Sequence, residues 1–147
     1  MERTLAIVKP DAVARGKIGE IIRRFEEAGV RVSGLRMVRL EKKGAERFYH
    51  VHRERPFFES LTTFMSSGPS VVMVLEGKGV IQTVRSIMGA TDPAQAAPES
   101  IRRDLGTNIE HNAVHGSDSP ESAAFEIPFF FTEVETFDYT RADRPGG

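Results

Sequence analysis

No cysteine occurs anywhere in the chain. That excludes a disulfide scaffold, a thiolate metal site and a cysteine nucleophile, and it fits a reducing compartment. No apolar run approaches the roughly 18 residues that a membrane-spanning helix needs. The first residues reach charged Glu2 and Arg3 at once, which argues against a secretory leader at this end. Nucleotide-binding signatures are missing as well. There is no G-x-x-x-x-G-K-[ST] loop, and Gly77-Lys78-Gly79 begins a G-x-G whose third glycine is replaced by Gln82. No H-E-x-x-H occurs, and His50 and His52 have no third ligand near them in sequence. Any chemistry on phosphates must therefore use another device.

What is present fits one compact domain. The chain has 147 residues, 39% of them apolar and 28% charged, so it is neither disordered nor membranous in composition. No internal repeat and no linker divides it. The net charge of −1 gives no sign of a nucleic-acid partner. The charges are unevenly spread, however. Residues 1–55 hold 14 Lys+Arg against 8 Asp+Glu, a net of +6, and residues 56–147 hold 6 against 13, a net of −7. Two solvated faces explain this; so does a basic half that supplies part of an anion site.

Strands and helices alternate along the chain. Thr4–Val8 reads as a buried strand ended by Lys9-Pro10-Asp11. Ile18, Ile21, Ile22 and Phe25 recur at helical spacing before Gly29, which predicts a helix over 17–28. Residues 30–40 read as a second strand. Short helices are expected over 44–52 and 57–66, split by Pro56. Ser70–Glu76 reads as a strand buried on both faces, and Gly79–Met88 as a helix. Residues 89–119 then turn polar and Gly/Pro-rich, which predicts a long functional loop carrying one short helix near 99–104. A further helix should start at Ser119-Pro120, with Ser119 as its cap. Pro128 is expected to kink or end that helix early, and Thr140–Gly147 reads as a loose tail.

The segment Asn112-Ala113-Val114-His115-Gly116-Ser117-Asp118-Ser119 concentrates the chemistry. A free histidine is about three-quarters neutral at pH 7, hence nucleophilic. Gly116 would leave room for an incoming phosphate. Ser117 and Asn112 offer neutral hydrogen-bonding groups. Glu126 can orient the second ring nitrogen, as a base–orienter pair requires. Phosphoryl transfer also needs cations around the moving group. Lys9, Arg85 and Arg102 are the candidates, and the two arginines read as exposed cations with little part in folding. Taken singly, each of these residues is more simply a surface charge or a structural histidine; only their combination points to a site.

The pattern Asn-x-x-His-Gly-Ser-Asp-Ser at Asn112–Ser119 resembles the active-site signature of nucleoside diphosphate kinases. Similar pieces follow in order from Arg3 to about Phe131: Thr4–Asp11, Phe48-Tyr49, Arg55–Phe58, Ser67-Gly68-Pro69 and Met88–Pro93. The resemblance implies an α+β fold, a ferredoxin-like βαββαβ with a four-stranded antiparallel sheet covered by helices. Its fourth strand would lie near Ala113–Val114 or just before. It implies ping-pong transfer of a γ-phosphate through His115 to a nucleoside diphosphate, with broad base specificity. Lys9, Tyr49 and Asn112 would then face the sugar hydroxyls and terminal phosphate, and Arg85, Thr91 and Arg102 the phosphates. Phe57 would stack on the base, with Leu61 and Ile109 near it, and Ser117 and Glu126 would support the histidine. Mg2+ would arrive on the nucleotide. A cytoplasmic homo-oligomer is implied, the tetramer favoured over the hexamer, with no membrane or nucleic-acid partner.

Other readings stay open on the residues alone. A ferredoxin-like fold also serves ligand-sensing and RNA-binding modules. A histidine phosphocarrier would pass its phosphate to a protein. Phe57 in Pro56-Phe57-Phe58 is equally readable as a core residue, although Phe58 is the better core candidate. His111 sits beside Asn112 with a charge that alters the site or does nothing.

Overall fold

A computed structural model describes residues 1–144. In chain order the elements are β1 (Glu2–Val8), α1 (Pro10–Ala14), α2 (Ile18–Glu27), β2 (Arg31–Val38), α3 (Lys42–Phe48) and α4 (Phe58–Met65). They continue as β3 (Ser70–Gly77), α5 (Val80–Met88), α6 (Ile101–Leu105), β4 (Val114–Gly116) and α7 (Pro120–Phe130). The four strands form one sheet in the order β2-β3-β1-β4, with every neighbouring pair antiparallel. This is the ferredoxin-like α+β arrangement that the sequence led us to expect.

Side chains alternate across a strand, so a sheet covered on both faces needs apolar residues at consecutive positions. β1 and β3 meet that need. Ala6 and Val8 pack with Met73, Leu75, Phe25, Val84 and Ile101 on the face covered by α2, α5 and α6. Leu5 and Ile7 pack with Val72, Val74, Phe48, Met65 and Ile127 on the face covered by α3, α4 and α7. Full burial of such a side chain stabilises by about 1.5–3 kcal/mol. The central place of β1 is what holds the site, because its free edge accepts β4 in the register Ile7 opposite His115.

Three expectations change. The fourth strand is Val114–Gly116, beginning within the place inferred, and it turns the supposed loop around His115 into sheet. α7 runs through Pro128 to Phe130. Pro128 is exposed and stands in the last turn, so its missing N–H costs one ladder bond, while Phe131 N–H still donates to Ile127 O at 2.9 Å. The tail is tied back as far as it is described. Tyr139 donates its hydroxyl to Val32 O at 2.6 Å, Arg141 reaches Glu26 O at 2.8 Å, and Arg144 reaches Glu27 O at 2.7 Å. Guanidinium groups on the last carbonyls of α2 are favourable partners for that helix end. Residues 145–147 of the expected loose tail lie outside the described residues. α1 was not foreseen at all; Pro10 occupies its first turn, where the lost donor has no cost.

Candidate active site

His115 projects from β4 with only 18% of its side chain exposed, and its Nε2 lies 2.7 Å from Oε1 of Glu126. The same carboxylate oxygen accepts the Ser117 hydroxyl at 2.9 Å, and that hydroxyl accepts Leu5 N–H at 3.1 Å. Glu126 comes from the middle of α7, which starts where Ser119 accepts Ser122 N–H at 3.1 Å. Edge-on rings close the other side, Phe48 at 5.5 Å and Tyr49 at 6.3 Å between centroids. With Nε2 engaged as a donor, Nδ1 keeps the lone pair of the neutral ring.

Gly116 does not make room for a ligand. Successive strand residues face opposite sides, and a Cβ there would meet Met88 Cε at 2.9 Å and Sδ at 3.0 Å. The glycine admits the methionine of the core beneath the strand.

A second group lies on the β1–α1 junction. Lys9 is buried and donates from Nζ to Asn112 Oδ1 at 2.8 Å. Burial, with the nearby Arg102 charge, brings its pKa down to about 8, against partial support from Asp11 and Glu110. Asn112 donates in turn to Thr91 O at 2.9 Å and Ile109 O at 3.1 Å, so one amide ties three segments together.

Arg102 departs from the expectation of an exposed cation. It is 9% exposed and donates to Gly89 O at 3.0 Å and to Val114 O at 2.9 Å. Burial and the field of Arg85 lower its pKa to about 10. Arg85 itself is exposed in the last turn of α5. Burial, then the Glu126 charge, pushes the Tyr49 phenol upward. The Tyr49 hydroxyl and Arg102 Nε are both buried, with no partner among the described residues. A buried polar group left unpaired is costly.

Of the candidates for base contact, Ile109 touches this group through its carbonyl, which accepts from Asn112. Phe57 is 46% exposed and touches His52 at 5.6 Å, so the alternative core role belongs to Phe58. Ile109 is 63% exposed, and Leu61 is buried beneath in the α4 face. Sequence reasoning missed the contact of Phe48 with His115, although Phe48 precedes Tyr49 in a segment already singled out. It missed Asp11, whose carboxylate accepts Ala113 N–H at 3.1 Å. His111 stacks on Phe64 with centroids 4.1 Å apart, which no spacing rule reveals. A cavity of about 470 Å³ lies far from His115, between the α2–β2 and β3–α5 turns. It holds none of the residues just described.

The family model described as nucleoside diphosphate kinase matches residues 2–136. The chain belongs to the nucleoside diphosphate kinase family. A nucleoside diphosphate kinase of Desulfosudis oleivorans is 60% identical over 92% of this chain and 97% of its own length. That of Geobacter sulfurreducens is 58% identical over 92% and 98%. Among solved structures, the Aquifex aeolicus nucleoside diphosphate kinase superposes with a TM-score of 0.91 at 52% identity, covering 92% of this chain and 99% of that one. The Halobacterium salinarum nucleoside diphosphate kinase in complex with CDP gives 0.92 at 42% identity, covering 96% and 94%. The family match ends at Thr136, so the stretch that ties Tyr139, Arg141 and Arg144 to β2 and α2 lies beyond it.

Proposed function

We propose that this nucleoside diphosphate kinase carries the phosphate on Nδ1 of His115. The observation that carries this reading is the 2.7 Å contact of Nε2 with Glu126, which leaves Nδ1 as the nitrogen with a lone pair. Nδ1 attacks the γ-phosphorus of a nucleoside triphosphate, and the bond to the β,γ-bridging oxygen breaks. The nucleoside diphosphate departs with that electron pair. The ring becomes positively charged on phosphorylation, and the Glu126 carboxylate offsets that charge without taking the proton. A second nucleoside diphosphate then attacks the phosphohistidine by the reverse path.

The residues around the transferring group have assigned work. Arg102, Arg85 and Lys9 offset charge on the phosphate oxygens, and the unpaired Tyr49 hydroxyl and Arg102 Nε supply further donors. Asn112 and Lys9 meet the sugar hydroxyls and the phosphate end, and Thr91 a phosphate. Phe57 stacks on the base, with Leu61 and Ile109 beside it. Mg2+ enters as part of the substrate, held by the nucleotide's own oxygens. The exposed Leu35 and Met37 on the edge strand β2 support assembly into a homo-oligomer, the tetramer favoured over the hexamer. The cysteine-free composition fits work in a reducing compartment such as the cytoplasm.

Mixing the protein with ATP and GDP, CDP or UDP tests the reading. Each matching triphosphate should form, and His115→Ala should form none. Phosphate passed to a protein but not to these diphosphates would favour a phosphocarrier and sink the proposal.

A further inference from the structure

We infer that Asp11 is a positioning residue that acts through the backbone of Ala113, and the inference rests on the kinase reading above. Ala113 has φ +74°, in the left-handed region that an alanine rarely adopts. Val114 N–H donates to Asn112 O at 2.9 Å across it, so Asn112, Ala113 and Val114 form a γ-turn of the rare, strained hand. Such a conformation persists only where its surroundings over-determine it.

The surroundings here are one short segment. Asp11 Oδ2 accepts Ala113 N–H at 3.1 Å, and Lys9 N–H donates to Ala113 O at 2.8 Å. Both polar groups of the strained residue are thus held by the β1–α1 junction. Ala113 itself is fully buried, so neither group has water to turn to.

The turn matters because of what flanks it. In a plain extended strand, residues three apart point to opposite faces. Asn112 and His115 are three apart, yet Asn112 must meet Lys9 while His115 meets Glu126. The left-handed step at Ala113 re-aims the chain so that both serve one site. Asp11 therefore sets the aim of the Lys9–Asn112 pair relative to the nucleophile without touching substrate. Its second oxygen, Oδ1, is buried with no partner among the described residues, which leaves Oδ2 as the working atom.

The clamp and a mere charge on Asp11 make different predictions. Asp11→Ala removes the acceptor and should lower kcat roughly 10-fold to 100-fold, the scale of a small misplacement of reacting groups. KM should rise as well, by less, because the Lys9–Asn112 pair meets the sugar hydroxyls while the Phe57 stack is untouched. Asp11→Asn keeps an acceptor oxygen and should retain most of the activity. Glycine adopts positive φ at no steric cost, so adding Ala113→Gly to Asp11→Ala should restore most of the lost kcat. If Asp11→Ala does not fold, Ala113→Gly with and without Asp11→Ala carries the same comparison, and the two should agree within about threefold. Asp11→Asn as damaged as Asp11→Ala, or a double variant no better than Asp11→Ala, overturns the inference. An active wild type with a fully active Asp11→Ala sinks the inference alone. An inactive wild type sinks it together with the kinase reading.

Discussion

One carboxylate oxygen of Glu126 accepts two donors, Nε2–H of His115 at 2.7 Å and the Ser117 hydroxyl at 2.9 Å. The histidine is thereby fixed in rotation and tautomer before any substrate arrives. Incubation with γ-labelled ATP should leave one phosphate per chain on His115, labile to acid and stable to base. Glu126→Gln, which lacks the negative charge, should slow formation of that intermediate by on the order of 10-fold to 100-fold. Label on a serine, or label that survives His115→Ala, would refute the assignment.

Arg85 and Arg102 should separate in stability and agree in catalysis. Each removal should cost turnover on the scale of one electrostatic stabiliser, ~2.7–4 kcal/mol. Arg85 is exposed, so Arg85→Ala should melt with the wild type. Arg102→Ala strands the carbonyls of Gly89 and Val114, each a loss of about 1–3 kcal/mol if left unsatisfied. Its melting temperature should fall by several degrees. Equal melting of the two variants would show that Arg102 is not the structural tie described.

Lys9 gives opposite pH trends to folding and catalysis. Its folded pKa of about 8 lies below the ordinary lysine value of 10.5, so the unfolded chain holds more protons between those values. Burial of the charged lysine therefore costs most below pH 8, by about 3 kcal/mol, and the cost is relieved as pH rises toward 10.5. The stability of wild type relative to Lys9→Met should increase over that window. In the same window kcat/KM should decline, because the phosphate loses a cation. A stability difference flat from pH 7 to 10 would mean that Lys9 titrates normally.

Phe57 is half-exposed and has little core to lose. Phe57→Ala should leave the melting temperature unchanged and raise KM for all nucleotides together, by the ~1–3 kcal/mol of one base stack. Purines should suffer most. None of Phe57, Leu61 and Ile109 can read a base edge, so strict preference for one base in the wild type would require a polar contact elsewhere.

Much of this arrangement was legible in the sequence, but for unequal reasons. α2 announces itself through Ile18, Ile21, Ile22 and Phe25 at helical spacing, and β3 through its run of apolar residues. Both are patterns that burial alone writes into a chain. β4 is three residues long and sits among polar neighbours, so no period can form; the resemblance around His115 supplied it. α1 is five residues and hides behind Pro10. The burial of Arg102 was not legible, because its partners are backbone carbonyls that no side-chain pattern encodes. Gly116 was misread for the same reason: what its missing Cβ avoids is Met88, nearly thirty positions earlier.

The pairing of β4 with β1 also sets when in its own synthesis the protein can work. Ser117 bonds Leu5 across 112 residues of chain, and Lys9 meets Asn112 across 103. Closing such long loops is slow, and no much shorter stretch of the chain contains the whole site. A chain that displays Lys9, Tyr49 and Arg85 still lacks His115, and one halted just after His115 lacks the carboxylate of Glu126. The proposed site is therefore complete only once both β4 and α7 are in place against β1.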